Sequence, residues 1–348
     1  MTDTNPALNT GKSLAFAFGD PEPILTNRLT DYLGVFLDIS GDYFRPPVSL
    51  TGLADLMNAN AYHGSILHFK KNMIVKWFMP GKLLSTATMK LAALDFEVLG
   101  NCYFQKFTDR FGNVLRLGHL PALAMRRGSK PDCYVKLRGV IAQDIMVYDD
   151  LMQSVIKFKP GEVIHLKEPD IKQGIYGLPQ YLGGIQSVLL GEDATLFRRK
   201  FFINGAHMGY ILVTTDANLD EETAKLIEKK VTEAKGPGNF RSLYLNIPRS
   251  SNKEPVQVVP IGNIGSKDEF QSIKEVVEME MLAMHRVYPG LSAIMPSNVG
   301  GFGSLTDSMK VYHELEITAM QQVFLELNEM LPGNPVVFKE PVWQATRP

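Results

Sequence analysis

Two glycine-containing stretches are the places where this chain could bind a nucleotide phosphate. A P-loop needs a glycine five residues before the glycine of its Gly-Lys pair, so that backbone amides can close on the phosphate. The Gly-Lys-Ser stretch at 11–13 has Pro6 at that position, so it does not form such a loop. The second stretch, NVGGFGS at 298–304, has no lysine after it and no strand pattern before it. We therefore predict a mobile loop there, with Phe302 at its tip.

Cysteine, histidine and carboxylate residues also fail to form a recognised catalytic or metal-binding pattern. Cys102 and Cys133 form no CxxC pair, which predicts two reduced thiols rather than a disulfide or a zinc site. His63 and His68 have no further ligand at a metal-binding spacing. No GxSxG motif, HExxH motif or two-metal carboxylate cluster occurs. We expect a non-enzymatic protein with no catalytic residue, cofactor or metal.

The composition is that of an ordinary globular protein. With 348 residues, of which 45% are hydrophobic, the chain can form two or three domains with a core. A formal net charge of −1 gives no overall positive field, so any contact with DNA is expected to be local. The polar first residues and the lack of a long apolar stretch predict an intracellular protein without a signal peptide or membrane span.

A long helix predicted over 181–206 organises the other elements. Its apolar residues fall on two neighbouring helical stripes, and charged residues interrupt them, which excludes a membrane span. A second helix, predicted over 266–287, begins with the capping-box pair Ser266 and Glu269. Between the helices, 207–265 combine three strand patterns with one charged helix, which predicts a small α/β lobe. The interrupting charges are Glu192, Asp193, Arg198, Arg199 and Lys200.

The remaining sequence predicts a mixed α+β body. A polar arm at 1–20 is expected to be mobile. A Pro- and Gly-rich loop at 288–305 should follow the second long helix, and a further helix is predicted from 306 to 331. The body itself should contain helices at 50–71 and 83–99, a β-hairpin at 101–119 with its turn at 109–113, and strands at 122–127, 132–138 and 162–167.

Several of these segments resemble one protein family in their amino-acid sequence and in their order along the chain. They are AFAFGDPEPIL at 15–25, IHLKEPD at 164–170, GIYGLPQYLGGIQSVLLGEDATLFRRKFFINGAHMGYIL at 174–212, HRVYPGLSAIMPSNVGGFGS at 285–304 and FLELNEML at 324–331. The chain resembles the portal proteins of tailed phages, specifically the PBSX-type branch of phages with contractile tails. The resemblance covers at least 160–332. One departure is Tyr288-Pro289-Gly290, where the family usually has paired prolines, which affects the shape of the following loop.

The resemblance implies an α+β portal fold and a ring of twelve copies at one capsid vertex, through which DNA enters and leaves. It divides the chain into a mobile arm at 1–20, a wing at 21–180, stem helices at 181–206 and 266–287, a clip at 207–265, a tunnel loop at 288–305, and a long helix at 306–348 that returns to the wing with a short crown or tail. The alternative function is a nucleotide-dependent DNA-processing enzyme of the packaging machinery.

The resemblance also implies partners and candidate site residues. The partners are further copies of the chain, terminase, major capsid and scaffold proteins, head-completion or connector proteins, and double-stranded DNA; no membrane is involved. Assembly is expected in the host bacterial cytoplasm, and the mature location is the virion. The basic residues could meet DNA phosphates or pair with acidic residues of the next subunit. Candidates facing the DNA channel are Arg198, Arg199, Lys200, Lys267, Lys274, Asn298 and Phe302, and candidates at the subunit interface are Glu192, Asp193 and Arg198.

Overall fold

The computed structural model describes residues 34–140, 155–203, 210–214, 243–246, 256–260, 267–291 and 304–343. The chain divides into two compact units. The larger unit comprises 23–192 and 274–348, and the smaller comprises 1–22 and 193–273. The smaller unit is therefore inserted into the sequence of the larger one. The predicted arm at 1–20 lies outside the described residues.

The described elements alternate between helices and short strands. In chain order they are α1 (Leu50–Ala59), α2 (Ala61–Lys76), β1 (Phe78–Met79), α3 (Thr86–Leu99), β2 (Asn101–Thr108), β3 (Val114–Leu120), β4 (Met125–Arg127), β5 (Tyr134–Leu137), β6 (Val155–Lys157), β7 (Val163–Lys167), α4 (Ile185–Ile203), β8 (Tyr210–Thr214), β9 (Leu243–Asn246), β10 (Val256–Pro260), α5 (Lys267–His285), α6 (Leu305–Tyr312), α7 (Thr318–Met330) and β11 (Val337–Phe338).

Two helices replace the single helix predicted over 50–71. Asn60 has an extended backbone with φ −128° and ψ 137°, which ends α1. Its side-chain oxygen then accepts a hydrogen bond from the Tyr62 amide at 2.8 Å and so caps α2. Ser49 caps α1 and Ser85 caps α3 in the same way. The expectation of one helix was wrong because the apolar pattern continues through Asn60 while the backbone does not.

Three small sheets belong to the larger unit. Strands β3, β2 and β7 form an antiparallel sheet in that order, which confirms the predicted hairpin. Strands β4, β5 and β6 form a second antiparallel sheet. The third sheet pairs β1 with β11, so that Phe78 lies opposite Phe338. This last pairing joins segments that are far apart in sequence, and no local pattern predicted it.

The core of the larger unit lies between its helices and the β3-β2-β7 sheet. Helix α7 packs on α3 through Phe324 and Phe96, whose ring centroids are 5.7 Å apart. The helix predicted from 306 to 331 is present as α6 and α7, joined by a π-helical turn over His313–Ile317. Fully buried residues of this core include Leu53, Leu56, Ile66, Leu67, Ile74, Leu84 and Met89.

The smaller unit contains one described sheet, with β8 in the middle. Strand β8 runs parallel to β9 and antiparallel to β10. The three strands fall where the sequence pattern placed them, within the segment 207–265. The charged helix predicted between β8 and β9 lies outside the described residues.

Candidate functional site

The candidate site is the place where the long helices α4 and α5 meet α2 within the larger unit. The helix predicted from 181 begins with a 3₁₀ turn at Gln180–Gly184 and becomes α-helical at Ile185. The second helix, predicted over 266–287, runs from Lys267 to His285. Both predicted helices are therefore present, and 204–206 and Ser266 lie outside the described residues.

Two glycines allow the two helices to approach each other. A Cβ placed at Gly184 would overlap Met284 Sδ and lie 2.7 Å from Met284 Cβ. A Cβ placed at Gly191 would overlap Asn60 Nδ2 and lie 3.0 Å from Val277 Cγ1. Gly184 ends the 3₁₀ turn that precedes α4, and Gly191 lies seven residues further along, within α4. Close approach of α5 thus depends on two positions that carry no side chain, and no local sequence pattern distinguishes them from other glycines.

A polar contact joins α5 to α2 beside this crossing. The Tyr62 hydroxyl donates to Glu278 Oε1 at 2.6 Å, and Lys274 Nζ lies 3.5 Å from the same oxygen. The hydrogen bond between Lys274 and the Tyr62 side chain, together with the Glu278 charge, raises the pKa of Lys274. The ammonium of Lys274, which we predicted to face DNA, is thus engaged with Glu278 and Tyr62.

A buried histidine pair lies at the end of α5. His63 of α2 and His285 of α5 are buried, with His63 Nδ1 2.9 Å from His285 Nε2. The Tyr181 ring packs against His63 with 4.7 Å between centroids. Burial lowers the pKa of His63 to about 4, and burial with the nearby charges of His63 and Lys70 lowers the pKa of His285 to about 2. Both imidazoles are therefore neutral near pH 7.

A buried ion pair lies close to these histidines. Lys70 Nζ is 2.7 Å from Glu97 Oε2, and both side chains are almost fully buried. A cavity of about 20 Å³, room for one water molecule, lies between this pair and His285. The second nitrogen of each imidazole, His63 Nε2 and His285 Nδ1, has no hydrogen-bond partner among the described residues. The sequence around His63 carries no signal for its partner His285, which is 222 residues away.

The two ends of the predicted tunnel loop are held together. Helix α5 ends at His285, and Arg286 takes a left-handed conformation with φ 55°. A short 3₁₀ turn at Pro289–Leu291 follows, and α6 begins at Leu305. The rings of Tyr288 and Tyr312 meet edge to face at 6.4 Å. The ends of the predicted loop over 288–305 are therefore a 3₁₀ turn and the first residue of α6, and its tip, with Asn298 and Phe302, lies outside the described residues.

The other predicted site residues lie on α4 and at the start of α5. Arg198 and Arg199 are exposed, as is Asp193, while Glu192 is half-buried. Lys200 is within α4 and Lys267 is the first residue of α5. The structure describes the backbone but not the side chains of these two lysines. Asp193, Arg198 and Arg199 form no ion pair with one another within the described residues.

The described residues contain no group of three or more His, Cys, Asp or Glu side chains placed to hold a metal ion. Within the same part of the chain, no helix combines the length and the apolar character needed to cross a bilayer.

Comparison with known proteins places the chain in a family. No protein-family model matches it. The chain is 40% identical to a probable portal protein of Haemophilus phage HP1 over 290 residues. This matched region covers 83% of this chain and 82% of the relative. It is 35% identical over 313 residues to a probable portal protein of Escherichia phage P2, covering 90% and 85%. The chain belongs to the portal protein family of tailed phages.

Solved structures show that the fold is also that of portal proteins. An HK97-family phage portal protein from Corynebacterium diphtheriae matches with a TM-score of 0.51 and 13% identity, over 82% of this chain and 94% of that one. A chain from the neck of a native gene transfer agent particle, computed with C12 symmetry, matches with a TM-score of 0.53 and 14% identity, over 84% of each chain. The predicted α+β portal fold is confirmed.

Proposed function

We propose that this chain forms the ring-shaped channel at one capsid vertex through which phage DNA is packaged and ejected. The observation that carries this proposal is the 40% and 35% identity to portal proteins over most of both chains. We propose a ring of twelve copies, which the C12 symmetry of the similar neck structure supports. We assign the chain to the PBSX-type branch on the sequence segments quoted above.

The elements of the structure receive roles in this proposal. Residues 21–180 form the wing, α4 and α5 belong to the stem, and β8–β10 belong to the clip within 207–265. The tunnel loop lies within 288–305, and α6 with α7 returns over the wing. The contacts at the ends of the predicted loop support this assignment, because they fix both ends on helices.

Lateral contacts of the ring are proposed to use the outer face of α5. Val276 and Met279 are exposed large apolar residues, 48% and 58% accessible. Ala283 is exposed on the same helical stripe, whereas Val277 and Met281 on the opposite side are buried. A helix with an exposed apolar stripe on one side and a buried apolar stripe on the other fits a position between two neighbours. One neighbour lies within the same chain, and the other would belong to the next copy.

Charged residues of α4 are proposed to contribute to the same contacts. Glu192, Asp193 and Arg198 are assigned to the subunit interface, and the charge-reversal variant Arg198→Glu should weaken ring assembly. The loss should be larger at low salt than at high salt, because salt screens exposed ion pairs. Rings of the variant that match the wild type at every salt concentration would exclude this role.

The channel is proposed to hold sparse positive charge. Its candidates are Arg198, Arg199, Lys200, Lys267 and Lys274, with Asn298 and Phe302 on the loop. Each neutralised phosphate adds salt-dependent affinity, so a channel in which DNA slides should avoid many strong phosphate contacts. The engagement of Lys274 with Glu278 weakens its attraction for phosphate and is consistent with this requirement.

The partners and location follow from the proposed role. We propose that the ring contacts terminase, capsid and scaffold proteins, and head-completion or connector proteins, and that it is assembled in the host cytoplasm and carried in the virion. We assign no chemical step to the chain and place the packaging motor in a partner. An ATP hydrolysis assay tests this assignment against the alternative of a nucleotide-dependent enzyme, because activity of the purified protein would contradict it.

Electron microscopy of the purified protein, with the mass of the assembled particle, tests the proposed function directly. We expect rings with an axial opening wide enough for duplex DNA and a mass that corresponds to about twelve copies. A particle without an axial opening, or a monomer at all protein and salt concentrations, would contradict the proposal.

A further inference from the structure

The β2–β3 hairpin displays two apolar side chains on a rigid frame. Asp109 Oδ1 accepts hydrogen bonds from the Phe111 and Asn113 amides at 2.8 and 2.9 Å, which fixes the turn. Phe111 at this turn is 92% exposed. A β-bulge follows, because Phe107 lies opposite Arg116 while Thr108 lies opposite Val114. The extra residue is Leu115, which is 59% exposed.

Basic residues lie on and beside the hairpin that carries these two side chains. The Arg116 guanidinium lies over the Phe107 ring at 3.7 Å, and Lys106, Arg110 and Lys159 form no ion pair within the described residues. The carboxylates nearby serve the hairpin and its neighbouring turn: Asp109 holds the turn, and Glu162 accepts from Gln105 Nε2 and the Lys159 amide. We call this surface the basic tip, and it comprises Lys106, Arg110, Phe111, Leu115, Arg116 and Lys159.

The outer side of the helix formed by α6, the π-helical turn and α7 has the opposite charge. The sequence from 311 to 338 contains no lysine or arginine. Leu315 is 62% exposed and Met330 is 52% exposed, whereas Phe324 and Leu327 on the inner side are fully buried. We call this surface the acidic face, and it comprises Glu314, Leu315, Leu325, Glu326, Glu329 and Met330.

The acidic face carries unbalanced negative charge. Glu326 and Glu329 form no ion pair within the described residues. Partial burial, followed by the neighbouring charge of Glu329, raises the pKa of Glu326. A cation from another molecule would relieve this repulsion. Glu316 is not included in the face, because it lies 3.8 Å from Arg286.

We propose that the basic tip of one copy docks on the acidic face of the next copy. The two surfaces match in both respects that decide such contacts, since each combines exposed apolar side chains with charges, and the charges are of opposite sign. A closed ring needs two different, complementary surfaces on each copy, and these two surfaces meet that requirement. The proposal rests on the proposed ring and identifies one of its contacts.

Charge reversal with mixing tests the proposal in the full-length chain. One variant carries Lys106→Glu with Arg110→Glu, and the other carries Glu326→Lys with Glu329→Lys. Each variant alone should need about tenfold more protein to form rings, because like charges would then meet at every contact. An equimolar mixture should form rings at nearly the wild-type concentration, since each altered tip can dock on an altered face and each native tip on a native face in an alternating ring.

Controls separate this proposal from the proposed function. Lys82→Glu with Lys90→Glu reverses two exposed charges outside both surfaces and should leave ring assembly unchanged. Thermal unfolding of each variant should match that of the wild type. If both variants form rings as readily as the wild type, the docking proposal is wrong while the ring remains. If the tip variant forms normal rings but loses affinity for duplex DNA, the tip binds nucleic acid and the proposal is overturned. A wild-type protein that never forms rings would overturn both proposals.

Discussion

His63 Nδ1 lies 2.9 Å from His285 Nε2, so one imidazole donates a hydrogen bond to the other across 222 residues of sequence. This contact joins α2 to the last residue of α5, directly before the loop that we assign to the channel. Because no carboxylate among the described residues is bonded to either ring, protonation of either imidazole would leave a buried charge without a counter-ion.

Acid should therefore weaken the larger unit through this pair. An unfolded imidazole takes up a proton below about pH 6.5, whereas folded His63 stays neutral down to about pH 4. The stability is thus complete above pH 6.5 and is lost as the pH falls toward 4. The free energy of unfolding should fall by about 3 kcal/mol more in the wild type than in His63→Phe over this range.

Denaturant unfolding at a series of pH values measures this difference. His68→Gln is the matched control, since His68 is exposed on the same helix, and it should follow the wild-type pH dependence. A wild-type curve parallel to that of His63→Phe would show that the pair does not stay neutral in the fold.

Gly191→Ala should destabilise the crossing of α4 and α5. The added methyl group would overlap Asn60 Nδ2, and the Asn60 side chain cannot move freely because it caps α2. We expect a loss of about 1–3 kcal/mol in the free energy of unfolding. Gly183→Ala is the control, because a Cβ there meets no atom within 4 Å. Equal thermal stability of the two variants would contradict the proposed close approach.

Removing one partner of the buried Lys70–Glu97 pair should cost more than removing both. Glu97→Gln leaves a buried ammonium without its counter-charge, which we expect to cost about 3–5 kcal/mol. The double variant Lys70→Met with Glu97→Gln removes the uncompensated charge and should recover much of that loss. Denaturant unfolding of the two single variants and the double variant gives the coupling energy. Strictly additive losses would mean that the two groups do not interact.

Deleting 297–303 should leave ring assembly intact and reduce the DNA packaged or retained in each particle. Gly290 lies next to Leu305, and Arg286 lies 3.8 Å from Glu316, so the helices that carry the loop hold each other without it. Residues 292–296 would still connect them. Particle DNA content and ring mass are the two measurements. Loss of assembly without a separate packaging defect would make the loop a subunit contact instead.

Local signals in the sequence predicted many of the elements. The hairpin was predictable because its turn at 109–113 and the alternation of its strands lie within twenty or so residues. The strands at Tyr210–Thr214 and Val256–Pro260 were predictable from their apolar runs between turn residues. The break at Asn60 could not be predicted from the apolar pattern, because that pattern continues across it. The asparagine itself is the local signal, since asparagine is a common helix-capping residue.

The contacts where α4 and α5 meet α2 could not be predicted in the same way. His63 and Lys70 on α2 are typical of an exposed helix face by sequence, and only the arrival of α3 and α5 buries them. Gly184 and Gly191 are two of 29 glycines, and their role depends on which helix packs on them. The π-helical turn at His313–Ile317 is stabilised by a bond from Thr318 Oγ1 to the His313 carbonyl, which periodicity does not reveal.

The pairing of β1 with β11 also determines when the larger unit can be completed during synthesis. Phe78 can pair with Phe338 only after residue 338 has been synthesised. The Ile74 carbonyl can accept its hydrogen bond from Gln321 Nε2 only after residue 321 has been synthesised. The smaller unit, inserted at 193–273, leaves the ribosome before either partner does. Helix α2 and strand β1 are therefore translated early but lack these contacts until Gln321 and Phe338 emerge, which makes them a surface that a chaperone would meet on the nascent chain.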